Sequence, residues 1–219
     1  MFEALRKRVF QGERWNSRSD QKQLLRNAKV IFDVGAHVGE SAEIYQELYP
    51  GAQIWAFEPA PENFDRLQRR FANSNKVHPV NLGLGDKQGE QPFFLARGSQ
   101  VNSMLVRKGR VSQTIQIRTD TVDGFCAANS IPQVDILKVD IEGMEGRLFA
   151  GAAEMFRKKA VRLVFTEVYF YPVYENMPLF WDLHKQLESS GFRLYGLYSL
   201  ARSAGGNLEF GNALYELAH

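Results

Sequence analysis

At 219 residues, 44% hydrophobic and 24% charged, the chain has enough apolar material for one full core and is short for two. A formal charge of +2 gives no electrostatic case for nucleic acid or an anionic membrane, and the one cysteine, Cys126, excludes an internal disulfide and a thiolate zinc site. No apolar run approaches the length of a membrane span and the N-terminus lacks a signal-like core, so the expected compartment is the cytoplasm, without stable membrane insertion.

Met1 to Phe10 reads as a basic amphipathic helix, with Phe2, Leu5, Val9 and Phe10 on one side. Its expected role is to dock on the fold or on a second copy of the chain. Residues 1–28 are read as an N-terminal helical extension packing on the fold, and 29–219 as the main domain. Trp15 to Asn27 is expected to form a leading helix over a sheet edge or the ligand mouth. Lys29 to Val34 is an apolar, β-branched run, the signature of a buried parallel strand. It passes through Asp33 into Gly35-Ala36-His37-Val38-Gly39-Glu40, a glycine-bearing turn that opens a helix to about Tyr49. Taken alone, this segment suits an ordinary strand-to-helix turn as well as a ligand turn. The dinucleotide fingerprint Gly-x-Gly-x-x-Gly is absent.

A second buried strand, Gln53 to Glu58, also ends on a carboxylate, about 20 residues downstream, the spacing of a ribose-binding acid. Pro59 stops it, and a helix is expected over Pro61 to Ala72 with Phe64, Leu67 and Phe71 inward. Lys76 to Leu84 contains a third strand. Glu90 to Ala96 and Gln113 to Arg118 read as an antiparallel excursion beside the ligand mouth, because Ile115 and Ile117 alternate with polar neighbours. A helix over Thr121 to Asn129, capped by Thr119 or Asp120, carries Cys126 as a core residue. Val134 to Asp140 is a fourth parallel strand ending on an acid, followed by a short helix to about Gly151. Val161 to Val168 is the fifth, and an aromatic, proline-broken loop follows at Tyr169 to Pro178. A helix over Leu179 to Ser190 and strands at Phe192 to Tyr198 and Gly211 to Leu217 complete one domain.

Three blocks taken together resemble the FkbM-type S-adenosylmethionine-dependent methyltransferases: Asp33-Val34-Gly35-Ala36-His37-Val38-Gly39-Glu40, Phe57-Glu58-Pro59, and Leu137 to Glu145. The resemblance covers about Val30 to Leu200. It implies an α/β, Rossmann-like, seven-stranded sheet of the class I methyltransferase fold. All its strands but one are parallel, with helices on both faces and a small antiparallel insertion. It also implies transfer of a methyl group from S-adenosylmethionine to a hydroxyl of a small-molecule or glycan acceptor. The positions that carry over are Asp33, Gly35, Gly39 and Glu40 around the methionine portion and Glu58 with Pro59 at the ribose. Asp86 falls near the adenine amine and Asp140 beside the transferable methyl. Ser103, in the polar stretch Gln100 to Ser103, is expected to line the mouth. At His37 the family more commonly has asparagine.

Deprotonating an alcohol calls for a base or a metal ion. Asp140, Glu167 and Glu142 are the candidate catalytic carboxylates. Asp140 and Glu167 could alternatively share one divalent cation such as Mg²⁺. Tyr169, Phe170, Tyr171, Tyr174, Phe180 and Trp181 suit either an acceptor-stacking surface or a core plug. Arg97, Arg107, Lys108 and Arg110 suit either a solvated face or an acidic acceptor. The rival readings are an NAD-dependent oxidoreductase, for which Glu58 would also serve, and a non-catalytic nucleoside-binding domain. A nucleic-acid base methyltransferase would show an Asn/Asp-Pro-Pro-aromatic segment where this chain has Asp140-Ile141-Glu142-Gly143.

Overall fold

The computed structural model describes residues 16–96, 111–173 and 176–218. Helices α1 (Ser17–Leu24), α2 (Glu40–Leu48) and α3 (Pro61–Arg70) cover one face of a sheet. Helices α4 (Val122–Ala128), α5 (Glu145–Ala150), α6 (Ala153–Arg157) and α7 (Phe180–Ser189) cover the other. The strands are β1 (Val30–Val34), β2 (Gln53–Phe57), β3 (Val77–Val80), β4 (Gly83–Leu84), β5 (Gly89–Ala96) and β6 (Val111–Asp120), followed by β7 (Val134–Val139), β8 (Val161–Tyr169), β9 (Phe192–Arg202) and β10 (Leu208–Leu217).

Seven of them form one sheet in the order β3-β2-β1-β7-β8-β10-β9. The pairings β1–β2, β2–β3, β1–β7 and β7–β8 are parallel, and β10 runs antiparallel to both β8 and β9, so β10 alone is reversed. The expected seven-stranded class I architecture is present. The strands are apolar on both sides because both faces are covered. Phe32, Leu137 and Val164 point into one core and their neighbours Ile31, Ile136 and Leu163 into the other.

The smaller sheet, order β4-β6-β5, is the excursion read from the sequence, although its β4–β6 pair is parallel. The stretch Lys76 to Leu84, expected to contain a third strand, holds two short ones in different sheets. Asn81 breaks it, since its amide donates to the Glu58 and Pro59 carbonyls at 3.0 and 3.2 Å and turns the chain off the main sheet. The cap of α4 is Thr121, whose hydroxyl accepts from the Gly124 N–H at 2.8 Å, rather than Thr119 or Asp120. Helix α6 follows α5 after a two-residue break, and Asp123 holds its start by accepting from the Glu154 and Met155 N–H groups.

Helix α1 is tied to the fold by three side chains. The Tyr45 hydroxyl donates to Gln21, the Tyr198 hydroxyl donates to Asp20 at 2.7 Å, and Lys22 donates to the Leu48 carbonyl while lying over the Tyr49 ring. The amphipathic helix expected at Met1 to Phe10, and the dimer contact imagined for it, lie outside the described residues. Among the described residues no helix is long and apolar enough to cross a membrane.

Candidate active site

A cavity of about 560 Å³ opens where β1, β2, β7 and β8 end, at the carboxyl edge of the parallel strands. Ligands of open α/β sheets bind at this edge because the crossover connections diverge there. One half is lined from β1 and β2 by Gly35, His37, Glu58, Pro59 and Asn63, with Leu82, Leu84, Phe93 and Ile117 from the smaller sheet closing its far end. The other is lined from β7, β8 and β10 by Lys138, Asp140, Glu142, Glu167, Tyr169 and Phe210.

In the first half the turn after β1 is built on Gly35, whose φ is +77°. A Cβ there would lie 1.8 Å from the Asp140 carbonyl oxygen, so only glycine lets β1 leave the sheet beside β7. Gly39, at φ +93°, begins α2 where a Cβ would strike Phe71 and Leu67. It packs the helix and does not reach the cavity. His37 has φ +51°, a left-handed conformation that asparagine adopts more readily, which accounts physically for the commoner residue at this position. Its N–H donates to Glu58 Oε2 at 3.0 Å, and the Ala60 N–H donates to Oε1 at 2.8 Å. The Glu58 carboxylate is therefore fixed, with the Asn63 side chain as a third hydrogen-bond partner, and it faces the cavity. Burial pushes its carboxyl up to about 7, against the opposing pull of those N–H groups.

Asp33 is fully buried and does not line the cavity. The Ser41 hydroxyl donates to one carboxylate oxygen at 2.6 Å, and the Lys138 ammonium lies 3.0 Å from the other. Lys138 also donates to the Gly35 carbonyl at 3.1 Å and sits 3.7 Å from Asp140. Burial alone would lower the lysine, but Asp33 and Asp140 hold it above its ordinary range. Asp33 and Lys138 are register partners on β1 and β7, so the pair bolts the two halves of the site together. Asp33 thus acts through Ser41, Lys138 and the Gly35 turn. Asp86 is exposed and does not line the cavity; the far end is apolar instead. Glu40 and Pro59 line it, and Ser103 lies outside the described residues.

In the second half three expected carboxylates come together. Asp140 follows β7 and is about half exposed. Glu142 has φ +55° and is followed by Gly143 at +95°, which folds the loop back over β8. Glu167 points into the same space from β8. The Tyr169 hydroxyl lies 2.8 Å from Glu167 Oε2 and 3.0 Å from Glu142 Oε2. Burial first, and then the charges of Asp140 and Glu142, push the Glu167 carboxyl up to about 9. Glu145 is buried behind them, accepts from the Ile141 N–H at 3.1 Å, and is raised to about 7 by burial. It supports the loop. Of the aromatic cluster, Tyr169 reaches the cavity, Phe170 and Phe180 pack together, and Tyr171 and Trp181 are exposed. Tyr174, Arg97, Arg107, Lys108 and Arg110 lie outside the described residues.

A model of the methyltransferase FkbM domain matches residues 33–194, about three quarters of the chain. The chain belongs to the FkbM methyltransferase family. Its curated relatives include the 2-O-methyltransferase NoeI of Sinorhizobium fredii, 24% identical over 166 residues that cover 68% of each chain. They also include the hexuronic acid methyltransferase AglP of Haloferax volcanii, 28% identical over 64% of this chain and 56% of that one. A third is the 31-O-demethyl-FK506 methyltransferase FkbM of Streptomyces tacrolimicus, 25% identical over 59% of this chain and 62% of that one. The chain thus spans little more than half to two thirds of the relatives it matches. Among solved structures, the magnesium protoporphyrin IX methyltransferase of Synechocystis, with SAM bound, superposes with a TM-score of 0.53 at 11% identity, covering 91% of this chain and 77% of that one. A precorrin-6y C5,15-methyltransferase from Geobacter metallireducens gives 0.51 at 11%, covering 94% and 92%. These likenesses show the class I fold of this FkbM domain.

Sequence reasoning missed Lys138, Ser41, Asn63, Phe210 and the polar role of Tyr169. A lysine inside an otherwise apolar strand was a usable signal, because a buried ammonium requires a partner and the adjacent acid-tipped strand supplies one. Phe210 gave none, since its place depends on β10 pairing antiparallel with β8, where it faces Tyr169.

Proposed function

We propose that this FkbM domain transfers the methyl group of S-adenosylmethionine to a hydroxyl oxygen of a carbohydrate or other small-molecule acceptor. The observation that carries the reading is the division of one cavity into a diol-binding half and a carboxylate half. In the first, Glu58 presents two fixed oxygens spaced for a vicinal diol, as ribose requires. Leu82, Phe93 and Ile117 offer an apolar slot for a purine, and the Gly35 turn leaves room for the amino-acid end. The bound donor supplies an electrophilic methyl; the chain must orient an acceptor oxygen, take its proton and exclude water. Asp140 stands at the junction of the halves, where an acceptor oxygen in line with the methyl would meet it. Glu142 and Glu167 stand next to that position and are the proton acceptors.

The residues present do not suit a dedicated divalent cation. Among the described residues no three His, Cys, Asp or Glu side chains converge for one, Lys138 already neutralises the inner side of Asp140, and Tyr169 occupies an oxygen of both Glu142 and Glu167. Chelation by EDTA is therefore expected to leave turnover unchanged. The relatives NoeI and AglP are named for a 2-O position and for a hexuronic acid, which supports a sugar acceptor. Nothing in the +2 charge favours nucleic acid, and a cytoplasmic location accords with a donor that is made there.

The test is a panel of glycosides and hydroxylated natural-product scaffolds incubated with the chain and methyl-labelled donor. Label is expected in an ether product. Calorimetric binding of NAD with no binding of S-adenosylmethionine would remove the methyltransferase reading in favour of the oxidoreductase.

A further inference from the structure

On the carboxylate side of the cavity a phenylalanine, Phe210, is placed by an irregular piece of backbone. Strand β10 pairs with β8 in regular register, so Phe210 lies opposite Tyr169 and Asn212 opposite Glu167. Directly opposed residues share a face of the sheet. Phe210 therefore stands on the face from which Glu167 and Tyr169 enter the cavity, and it lines that cavity with them. The Phe170 N–H donates to the Glu209 carbonyl at 2.8 Å and carries the ladder one step past the ring.

Against β9 the same strand is irregular. Asn212 pairs with Tyr198 and Phe210 with Ala201, so Ser199 and Leu200 on β9 oppose Gly211 on β10. This is a β-bulge, a device that re-aims neighbouring side chains and is over-represented beside active sites. Ser199 takes a left-handed φ of +50° to make it. A Cβ on Gly211 would meet the Tyr198 carbonyl oxygen at 3.0 Å and Leu200 Cδ2 at 2.6 Å. A second register shift falls between Leu208 and Phe210. Strained backbone kept on both sides of one residue at a cavity points to a function for that residue.

Burial separates the two rings of the pair. Tyr169 is 6% exposed and packs with Met177, Val173 and Leu179, whereas Phe210 is 39% exposed, with its ring centroid 6.1 Å from that of Tyr169. Tyr171 and Trp181 are exposed too but do not line the cavity. Glu167 is the diagonal neighbour of Phe210 across the two strands, roughly 7–8 Å away. An aromatic face and a carboxylate thus stand about one sugar ring apart. A pyranose uses both, since its C–H face is apolar and suits a ring, while its hydroxyls suit an acid.

We propose that Phe210 is the platform for a pyranose ring of the acceptor, which lies with a C–H face on the phenyl ring and turns a hydroxyl toward Glu167. This rests on the reading above that the cavity methylates a hydroxyl, and it adds the form of the acceptor and the residue that selects it. A flat platform favours a rigid ring over a flexible polyol bearing the same hydroxyls, because the ring has less freedom to lose. Phe210 sets which alcohol is held; the carboxylates act on the hydroxyl it presents.

The experiment loads the chain with S-adenosylhomocysteine and reads sugar binding by saturation-transfer NMR and calorimetry. The probes are methyl pyranosides of the gluco, galacto and manno configurations, a methyl glucuronide, and sorbitol as the open-chain control. At least one pyranoside is expected to bind with its ring C–H protons most strongly saturated, and sorbitol to give no such signal. Phe210→Leu, apolar but without the ring, is expected to weaken that pyranoside about three- to tenfold, and Phe210→Trp to hold it within about twofold of wild type. S-adenosylmethionine is expected to bind both variants as it binds the wild type. With labelled donor, the Phe210→Leu loss is expected in the KM for the pyranoside more than in kcat. Equal binding of sorbitol, no binding of any pyranoside, unchanged affinity in Phe210→Leu, or a loss that Phe210→Trp shares overturns the inference; binding of S-adenosylmethionine then leaves the functional reading in place. Failure of the wild-type chain to bind S-adenosylmethionine overturns the functional reading, and this inference with it.

Discussion

The two halves of the cavity solve opposite problems with the same residue type. On the β1–β2 side one carboxylate, Glu58, is held by two backbone N–H groups, and burial is the largest influence on its ionisation. On the β7–β8 side Asp140, Glu142 and Glu167 crowd together, and after burial the charges of the first two raise the cost of ionising Glu167. An isolated, backbone-clamped acid is a fixed recognition element. A crowded set keeps on Glu167 a proton that an isolated acid would release. The contrast teaches that location at a strand end does not assign a role; the company a carboxylate keeps does.

The largest effect expected from that contrast lies on the crowded side. Glu167→Gln should lower turnover by about 10²- to 10⁴-fold, the usual contribution of a positioned base, and leave donor affinity within about tenfold. Comparable losses in affinity and rate would mean that Glu167 belongs to recognition. Next, Lys138→Met leaves the buried Asp33 without its cation and should destabilise the fold by about 3–5 kcal/mol, read by chemical denaturation. Restoring stability with Asp33→Asn in the same chain would confirm that the pair couples the halves. On the quiet side, Glu58→Gln should weaken donor binding by about 10- to 100-fold, or roughly 1.4–2.8 kcal/mol, with turnover of the saturated enzyme little changed.

The smallest effect is one of pH on the ligand-free chain. Glu58 and Glu145 are raised by burial from 4.5 to about 7 and Glu167 to about 9. Between about pH 4.5 and 7 the unfolded chain has released protons that the folded chain still holds. The unfolded state then binds fewer protons, so stability falls as pH rises through that window, and for Glu167 it goes on falling to about pH 9. The melting temperature should accordingly be about 2–6 °C higher at pH 6 than at pH 8.

Most of the frame was legible because a parallel sheet covered on both faces writes itself as apolar runs, and each run here stops at a polar residue on the ligand edge. Glu58 could be read from its spacing behind Gly35, and Asp140 from its place after β7. Asp33 was misleading: it tips no strand toward the ligand, because the same register that makes β1 a neighbour of β7 sets its carboxylate against Lys138. Asp86 failed for a related reason, since the chain leaves the main sheet at Asn81 and carries the following turn to the surface. Tyr169 read as aromatic bulk because the sequence does not reveal that a left-handed residue, Glu142, folds an acid back onto its hydroxyl. Local patterns report strands; the meeting of three side chains from one loop and one strand is a tertiary event.

The close seat of Gly35 on the Asp140 carbonyl has a mechanical consequence. With no side chain between them, the turn after β1 and the loop after β7 are bearing surfaces of one joint. A displacement of a few tenths of an ångström on one side has nowhere to dissipate and must be felt on the other. The two walls of the cavity therefore shift together or not at all, because backbone rests directly on backbone.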